Sequence, residues 1–379
     1  MSSPATEEKG PSVSAPVPFV DLGVQHRRIA AEVGPALDAV MSTTSFVLGP
    51  AVTEFEKEYA EFCGVANAVG VANGTDAIEL ALRGAGIGPG DQVIIPANTF
   101  VATAEAVVRA GAEIVLADCT EDFLLDPEQV AARVTSRTRA VIAVDLYGQI
   151  PDMAAIAEAA GPDILLFEDA AQSQGATRDG RPAGSFGVAA ATSFYPGKNL
   201  GAYGDAGATL TDDDAIADKI RALRSHGGLK RYEHTYIGTN SRLDSIQAAV
   251  LRIKLRHLPG WNTERVAAAS LYTELLADRD DVITPRVLPG NEHVWHLYVI
   301  RVADRDQVLA SLAAAGINAG IHYPAPIHQL PAFDGLGLDD TAFPVAETTA
   351  SEILSLPIYP GITADQQRRV VAALATALR

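Results

Sequence analysis

The chain has 379 residues, 48% of them hydrophobic and 20% charged, the balance of a folded globular protein with core enough for two domains. A formal net charge of −18 argues against nucleic acid as a partner, because a phosphate backbone would be repelled, and no apolar run approaches the roughly 20 residues needed to span a bilayer. Cys63 and Cys119 are too few and too isolated for a disulfide framework or a zinc cluster, and read as buried thiols.

The start, "MSSPATEEKGPSVSAPVPFVDL", lacks the basic and apolar regions of a secretory signal, so residues 1–16 read as a disordered tail and cytoplasmic residence is the expectation. From residue 67 short β-branched runs alternate with helical patterns. Strand and turn are expected at 67–74, a helix at 75–86, a strand at 91–100, a helix at 101–111 and a strand at 112–119. A strand at 139–148, a helix at 152–160 and a strand at 163–172 follow. The strands are uniformly apolar, as in a sheet covered on both faces, which predicts an α/β fold with a doubly wound, mostly parallel sheet. Helical spacing over 241–279, interrupted at Pro259-Gly260, reads as a bridge between domains. Beyond it a strand at 293–302 and helices at 306–316 and 363–378 suit a smaller α+β unit. The expected division is therefore a large α/β domain over 17–255 and a small α+β domain over 256–379.

Three stretches carry chemistry. In "VANGTDAIELAL" a strand runs through Asn73-Gly74-Thr75 straight into a helix, and a helix N-terminus with a glycine suits a phosphate; Thr75 or Asp76 as a plain N-cap is the competing reading. In "LLFEDAAQSQGA" Asp169 falls at the C-terminal end of a buried strand, the edge where open parallel sheets bind ligands, with Glu168 pointing the other way. A cap of the following turn is the alternative for Asp169. In "SFYPGKNLGAYGDAG" Lys198 lies between glycines. A P-loop is disfavoured, because Asn199 rather than Ser or Thr follows Gly197-Lys198 and Thr192 stands where the first glycine belongs. A phosphate cup, a buried acid and a lysine in this order match what pyridoxal 5'-phosphate requires: anchors for its phosphate, ring nitrogen and aldehyde.

At these residues the chain resembles the DegT/DnrJ family of sugar aminotransferases, pyridoxal phosphate enzymes of the aspartate aminotransferase fold. The likeness runs through "PFVDLGVQHRRI", "FVLGPAVTEFEKEYAEFCG", "NGTDAIELAL", "PANTFVATAEAV", "EDAAQSQGA", "SFYPGKNLGAYGDAG", "GTNSRLDSIQAAVL" and "IHYPAPIH". It implies that Lys198 joins the cofactor covalently and carries protons, and that Asp169 pairs with the ring nitrogen. It also implies that Gly74, Thr75, Asp76 and Ser193 hold the phosphate, that Phe100 stacks on the ring, and that Gln172 lies near the ring hydroxyl. Asn240 would reach the phosphate from the neighbouring subunit of a homodimer. For the substrate, a nucleotide-linked keto sugar, the candidates are Tyr195, Arg231, Tyr236, Arg242, His322, Tyr323 and His328, with L-glutamate the expected amino donor. Gly-Asp-Ala-Gly after the lysine looks most like members that aminate a dTDP-linked 3-keto sugar, amination at C4 being the alternative. A lysine-less dehydratase relative is disfavoured by Lys198, while a noncatalytic cofactor-binding regulator and a racemase on the same fold stay as readings from other classes.

Overall fold

The computed structural model describes residues 15–338 and 342–379, so most of the tail expected over 1–16 lies outside the described residues. Its strands in chain order are β1 (Asn67–Val71), β2 (Gln92–Pro96), β3 (Glu113–Ala117), β4 (Thr138–Val144), β5 (Leu165–Asp169), β6 (Thr177–Arg178), β7 (Arg181–Pro182), β8 (Ala189–Ser193), β9 (Gly207–Thr211), β10 (Asn291–Glu292), β11 (Tyr298–Arg301) and β12 (Ile353–Leu356). Seven of them form one sheet in the order β1-β9-β8-β5-β4-β2-β3. Only β9 runs against its neighbours; the other pairings are parallel. This is the expected α/β sheet, and both faces are covered. On β4, Ala140 and Ile142 enter one apolar cluster and Val141 and Ala143 another, the period of two that puts alternate side chains on opposite faces.

Local chemistry sets where the helices begin. Asn73, not Thr75 or Asp76, caps the helix Gly74–Gly84, its Oδ1 accepting from the Asp76 amide at 2.8 Å, a bond worth about 1 kcal/mol. The helix Val101–Ala110 starts after Phe100 and stops at Gly111, whose φ of 88° is a left-handed turn that glycine adopts freely.

Two expectations are corrected. The helix Ser245–Leu275 runs unbroken through Pro259-Gly260. Proline removes one backbone bond there, but Leu258 and Trp261 on either side are buried, and packing outweighs the local loss. The strand expected over 293–302 is confined to β11, because Trp295 has φ 49° and stacks on His293, turning the chain aside just before the strand.

That long helix crosses residue 255. Its first half contributes Ala248, Leu251 and Leu258 to a cluster with Phe55, Tyr59 and Phe194. Its second half contributes Ala269 and Tyr272 to a separate core with Tyr298, Leu354 and Val370. The latter core lies around the two-stranded β11–β12 sheet, and Val17 belongs to it. Ile327, Phe333 and Phe343 return to the core of the large sheet. Among the described residues no helix is long and apolar enough to cross a membrane. Cys63 and Cys119 are free and buried.

Candidate active site

The C-terminal ends of the parallel strands bring the candidate residues together. Asp169 closes β5, Ser193 closes β8, the Asn73–Gly74 turn follows β1, and Phe100 lies just beyond β2. Asp169 is buried; Thr103 donates to its Oδ2 at 2.8 Å and the Ala171 amide to its Oδ1 at 3.2 Å. Burial pushes its carboxyl above the ordinary value, while those donors and the Lys198 ammonium pull it back. Glu168 points away, accepting from the Gly184 and Phe186 amides at 2.8 and 2.9 Å.

Lys198 stands on a tight loop, its amide bonded to Tyr195 O at 2.8 Å and the Ala202 amide to Phe194 O at 2.7 Å. The residue keeps part of its surface open, yet protein packs round its ammonium, and among the described residues Nζ makes no hydrogen bond or ion pair. Loss of solvation draws its pKa down to about 8, against the opposing pull of Asp169. A lysine of this kind is a ready nucleophile and proton carrier near neutrality.

At the β1 turn the first intrahelical bond runs from Ala77 N to Asn73 O, so the amides of Gly74 and Thr75 have no intrahelical acceptor. A Cβ on Gly74 would lie 2.6 Å from Ser193 Cβ, so only glycine lets the helix end approach Ser193. Ser193 Oγ accepts from the Tyr195 amide at 3.3 Å and keeps its own proton to donate. This concave group of donors fits a phosphate. Asp76, at the same helix end, has its amide bonded to Asn73 and its carboxylate paired with Arg109 at 2.9 Å.

Phe100 is half exposed, with its ring 4.9 Å from that of Tyr323. Gln172 Oε1 accepts from the Tyr147 amide at 2.6 Å, and Nε2 donates to the Tyr323 hydroxyl at 3.1 Å. His322 meets Ser355 Oγ at 2.9 Å through Nδ1 and stacks on Phe19; burial and the Lys198 charge lower its pKa to about 4. Tyr195 is exposed beside the Lys198 loop. Asn240 is exposed, and the next residue, Ser241, accepts from the Ala72 amide at 3.1 Å beside the phosphate turn. Arg242 is half-buried and makes no hydrogen bond or ion pair among the described residues.

Three substrate candidates lie elsewhere in the chain. Tyr236 lines a cleft of about 1180 Å³ with Leu165, Val188 and Lys219, at the opposite edge of the sheet, where β5 and β8 begin. Arg231 belongs to the same loop and stacks on Tyr232. Bonds from the Thr235 and Tyr236 amides to Gly227 O, and from Arg83 to Ile237 O, tie the loop there. His328 is packed against Phe343, its Nε2 3.2 Å from Glu347, rather than turned to Lys198.

Sequence reasoning missed Thr103, Tyr147 and a buried network beside the lysine. Asn199 Nδ2 donates to Asn262 Oδ1 and Val294 O, both at 3.0 Å, so its Oδ1 is left to accept. His296 Nδ1, 3.2 Å from that oxygen, is therefore the protonated nitrogen, and burial keeps the ring neutral. Thr103 was legible as a polar residue on a largely apolar helix; nothing in the sequence marks Tyr147 or His296.

A buried acid facing an unpaired, low-pKa lysine, beside a phosphate cup, is the arrangement of a pyridoxal phosphate site. The "Pleiotropic regulatory protein" of Geobacillus stearothermophilus is 44% identical over 95% of this chain and 98% of its own. The "dTDP-3-amino-3,4,6-trideoxy-alpha-D-glucose transaminase" of Streptomyces venezuelae is 44% identical over 94% and 95%. The crystal structure of S. venezuelae DesV in complex with a ketimine intermediate matches with a TM-score of 0.93 at 44% identity, covering 97% of this chain and 100% of that one. The model of the DegT/DnrJ/EryC1/StrS aminotransferase family matches residues 27–375, and with that extent of agreement the chain belongs to this family.

Proposed function

We propose that the chain is a pyridoxal phosphate-dependent aminotransferase moving an amino group from L-glutamate to C3 of a dTDP-linked 3-keto-6-deoxysugar, giving a dTDP-3-amino sugar. The observation that carries the reading is the Asp169–Lys198 pair, an acid and an amine enclosed together with burial opposing the charge of each. The S. venezuelae transaminase, 44% identical, supports the sugar and the carbon.

When bound, the cofactor supplies a conjugated cation that takes up the electron pair left by a broken Cα–H bond. Gly74 and Thr75 amides and the Ser193 hydroxyl bind its phosphate. Asp169 holds a proton on the ring nitrogen, with Thr103 fixing which oxygen faces the ring. Phe100 covers one ring face, and Gln172 turns its amide group toward the ring hydroxyl. Lys198 would first anchor the cofactor and then, as a free amine, carry the proton from the donor's Cα to the cofactor's C4′ carbon and, in the second half of the cycle, from C4′ to C3 of the sugar. His322 and Tyr323, with Tyr195, border the space for the sugar, and Arg242 offers an unpaired cation to its diphosphate. Asn240 completes the phosphate site of a partner subunit in a homodimer, and the cytoplasm is the place of action.

The name of the Geobacillus relative favours a second reading, a cofactor-binding regulator. Offering 3-keto and 4-keto dTDP-6-deoxysugars with glutamate and identifying the products by NMR separates the three outcomes. A C3 amine supports the proposal, a C4 amine moves the site of attack, and a cofactor-loaded protein that aminates neither sugar favours the regulator.

A further inference from the structure

Tyr147 follows the end of β4 and is buried, yet has φ 64° and ψ −2°, a left-handed conformation that bulky residues rarely adopt. Such strain persists only where the surroundings over-determine it. Three polar groups of this one residue bond to three different segments. Its amide donates to Gln172 Oε1 at 2.6 Å. Its carbonyl accepts from the Leu297 amide at 3.3 Å, where the smaller unit docks on the large sheet. Its hydroxyl donates to the carbonyl of His322. The ring is seated edge-on against Phe123 at 5.2 Å.

The segment that receives the hydroxyl is tied to other segments by backbone–backbone bonds at its two ends, and between them by side chains, His322 reaching Ser355 at 2.9 Å. Gly320 N bonds to Ser355 O at 3.1 Å, and Ile327 N to Ala97 O at 2.8 Å. Between these anchors lie His322 and Tyr323, and Tyr323 is bonded to Gln172. The amide of Tyr147 fixes Gln172 with its oxygen toward β4, so both Nε2 hydrogens are free to donate, one of them to Tyr323. One tyrosine thus orients Gln172 and pins the loop that carries two substrate candidates.

We propose that Tyr147 is a positioning residue: its hydroxyl holds the His322–Tyr323 loop in the register that receives the keto sugar. Glycine at this position would relieve the backbone but would lose the hydroxyl, which explains a tyrosine in a left-handed turn. The inference rests on His322 and Tyr323 facing the sugar, as read above.

The test is Tyr147→Phe in the full chain, which keeps the ring on Phe123 and removes only the hydroxyl. Hydrogen exchange followed by mass spectrometry on the bare protein is expected to show the amides between residues 320 and 327, Pro324 and Pro326 apart, exchanging several-fold faster, those of Gly320 and Ile327 through their bonds to Ser355 and Ala97, with residues 294–297 unchanged because their backbone bonds remain. In the loaded enzyme KM for the keto sugar is expected to rise about tenfold, the cost of one poorly held contact, with kcat and KM for glutamate little changed. Unaltered exchange over 320–327 overturns the proposal, and so does faster exchange with an unaltered KM for the sugar. A fall in kcat together with lower protection at 294–297 marks a merely structural role and also overturns it. The exchange arm reads the loop without substrate, so a wild type that aminates no sugar refutes the proposed function and leaves exchange to decide the latch.

Discussion

The Lys198 amine is the group whose chemistry the structure constrains most sharply. An ordinary lysine near pKa 10.5 is about 0.03% free base at pH 7, whereas one at about 8 is about 10% free base, a ratio of roughly 300. The perturbation is pH itself, applied to cofactor-free protein. Acylation by acetic anhydride, read by mass spectrometry on the peptide containing Lys198 with a lysine peptide as internal standard, should rise about tenfold per pH unit and level off above about pH 8. Asp169→Asn removes the one charge that favours the ammonium and should move that midpoint lower. Between about pH 8 and 10.5 the folded chain holds fewer protons on Lys198 than the unfolded chain, so this group makes the cofactor-free protein more stable as pH rises through that window. A midpoint near 10.5, or a rise in the Asp169→Asn variant, would refute the argument that burial outweighs the carboxylate.

Other expectations bear on the surroundings. Gly74→Ala places a Cβ 2.6 Å from Ser193 Cβ and should weaken pyridoxal phosphate binding about tenfold or more, measured by equilibrium dialysis, while leaving binding of phosphate-free pyridoxal unchanged; equal loss for both would count against the phosphate cup. Thr103→Val deletes a donor to Asp169 and should shift the acid limb of kcat/KM to higher pH; an unmoved limb would mean Asp169 is not the group titrating there. His293 accepts from the Trp295 amide and is held neutral by burial, with a pKa of about 3. Its contribution to stability is complete above about pH 6.5 and is lost as pH falls toward 3, by at most about 1.4 kcal/mol per unit. Urea unfolding of His293→Gln should show a shallower acid decline, and parallel curves would dismiss the residue as a source of it. Asn240→Asp should weaken cofactor binding, and mixed dimers of that variant with Lys198→Ala should recover one good site; no recovery would remove Asn240 from the partner's site.

Much of this was legible because the chain obeys local rules where it builds the sheet. Apolar runs over 92–96 and 140–144 became strands of the large sheet, and the glycine turn after residue 73 runs straight into a helix. Asp169 and Lys198 were readable since ligands gather at the ends of parallel strands. What the sequence does not disclose depends on contacts between distant residues. That Arg109, on the next helix, pairs with the Asp76 carboxylate is visible only in the fold. His328 shares a motif with His322, yet Glu347 and Phe343 hold it elsewhere. Tyr147 lies in an ordinary "DLYG" string, and only the folded chain reveals its left-handed backbone and its three partners.

The electrostatics of the bare site also say what kind of ligand completes it. Asp169 is pushed toward its neutral acid and Lys198 toward its neutral amine, both by burial, and each is the other's partial remedy. A ligand that brings a cation against the carboxylate while binding the amine as an uncharged nucleophile satisfies both at once. An anionic ligand at that position would worsen the first and strengthen the second's charge, so the fixed donors for anions are set apart, at Gly74, Thr75 and Ser193. With 47 acidic against 29 basic residues, the protein offers no general attraction to a diphosphate sugar. Its capture must fall to individual cations, and among the described residues Arg242 is half-buried, next to the phosphate turn and without a carboxylate of its own. Arg242→Gln should therefore raise KM for the nucleotide sugar and steepen no other dependence. If KM for glutamate rises as much as KM for the sugar, the cation serves the donor's carboxylate instead, and the assignment of the diphosphate to this side of the site is wrong.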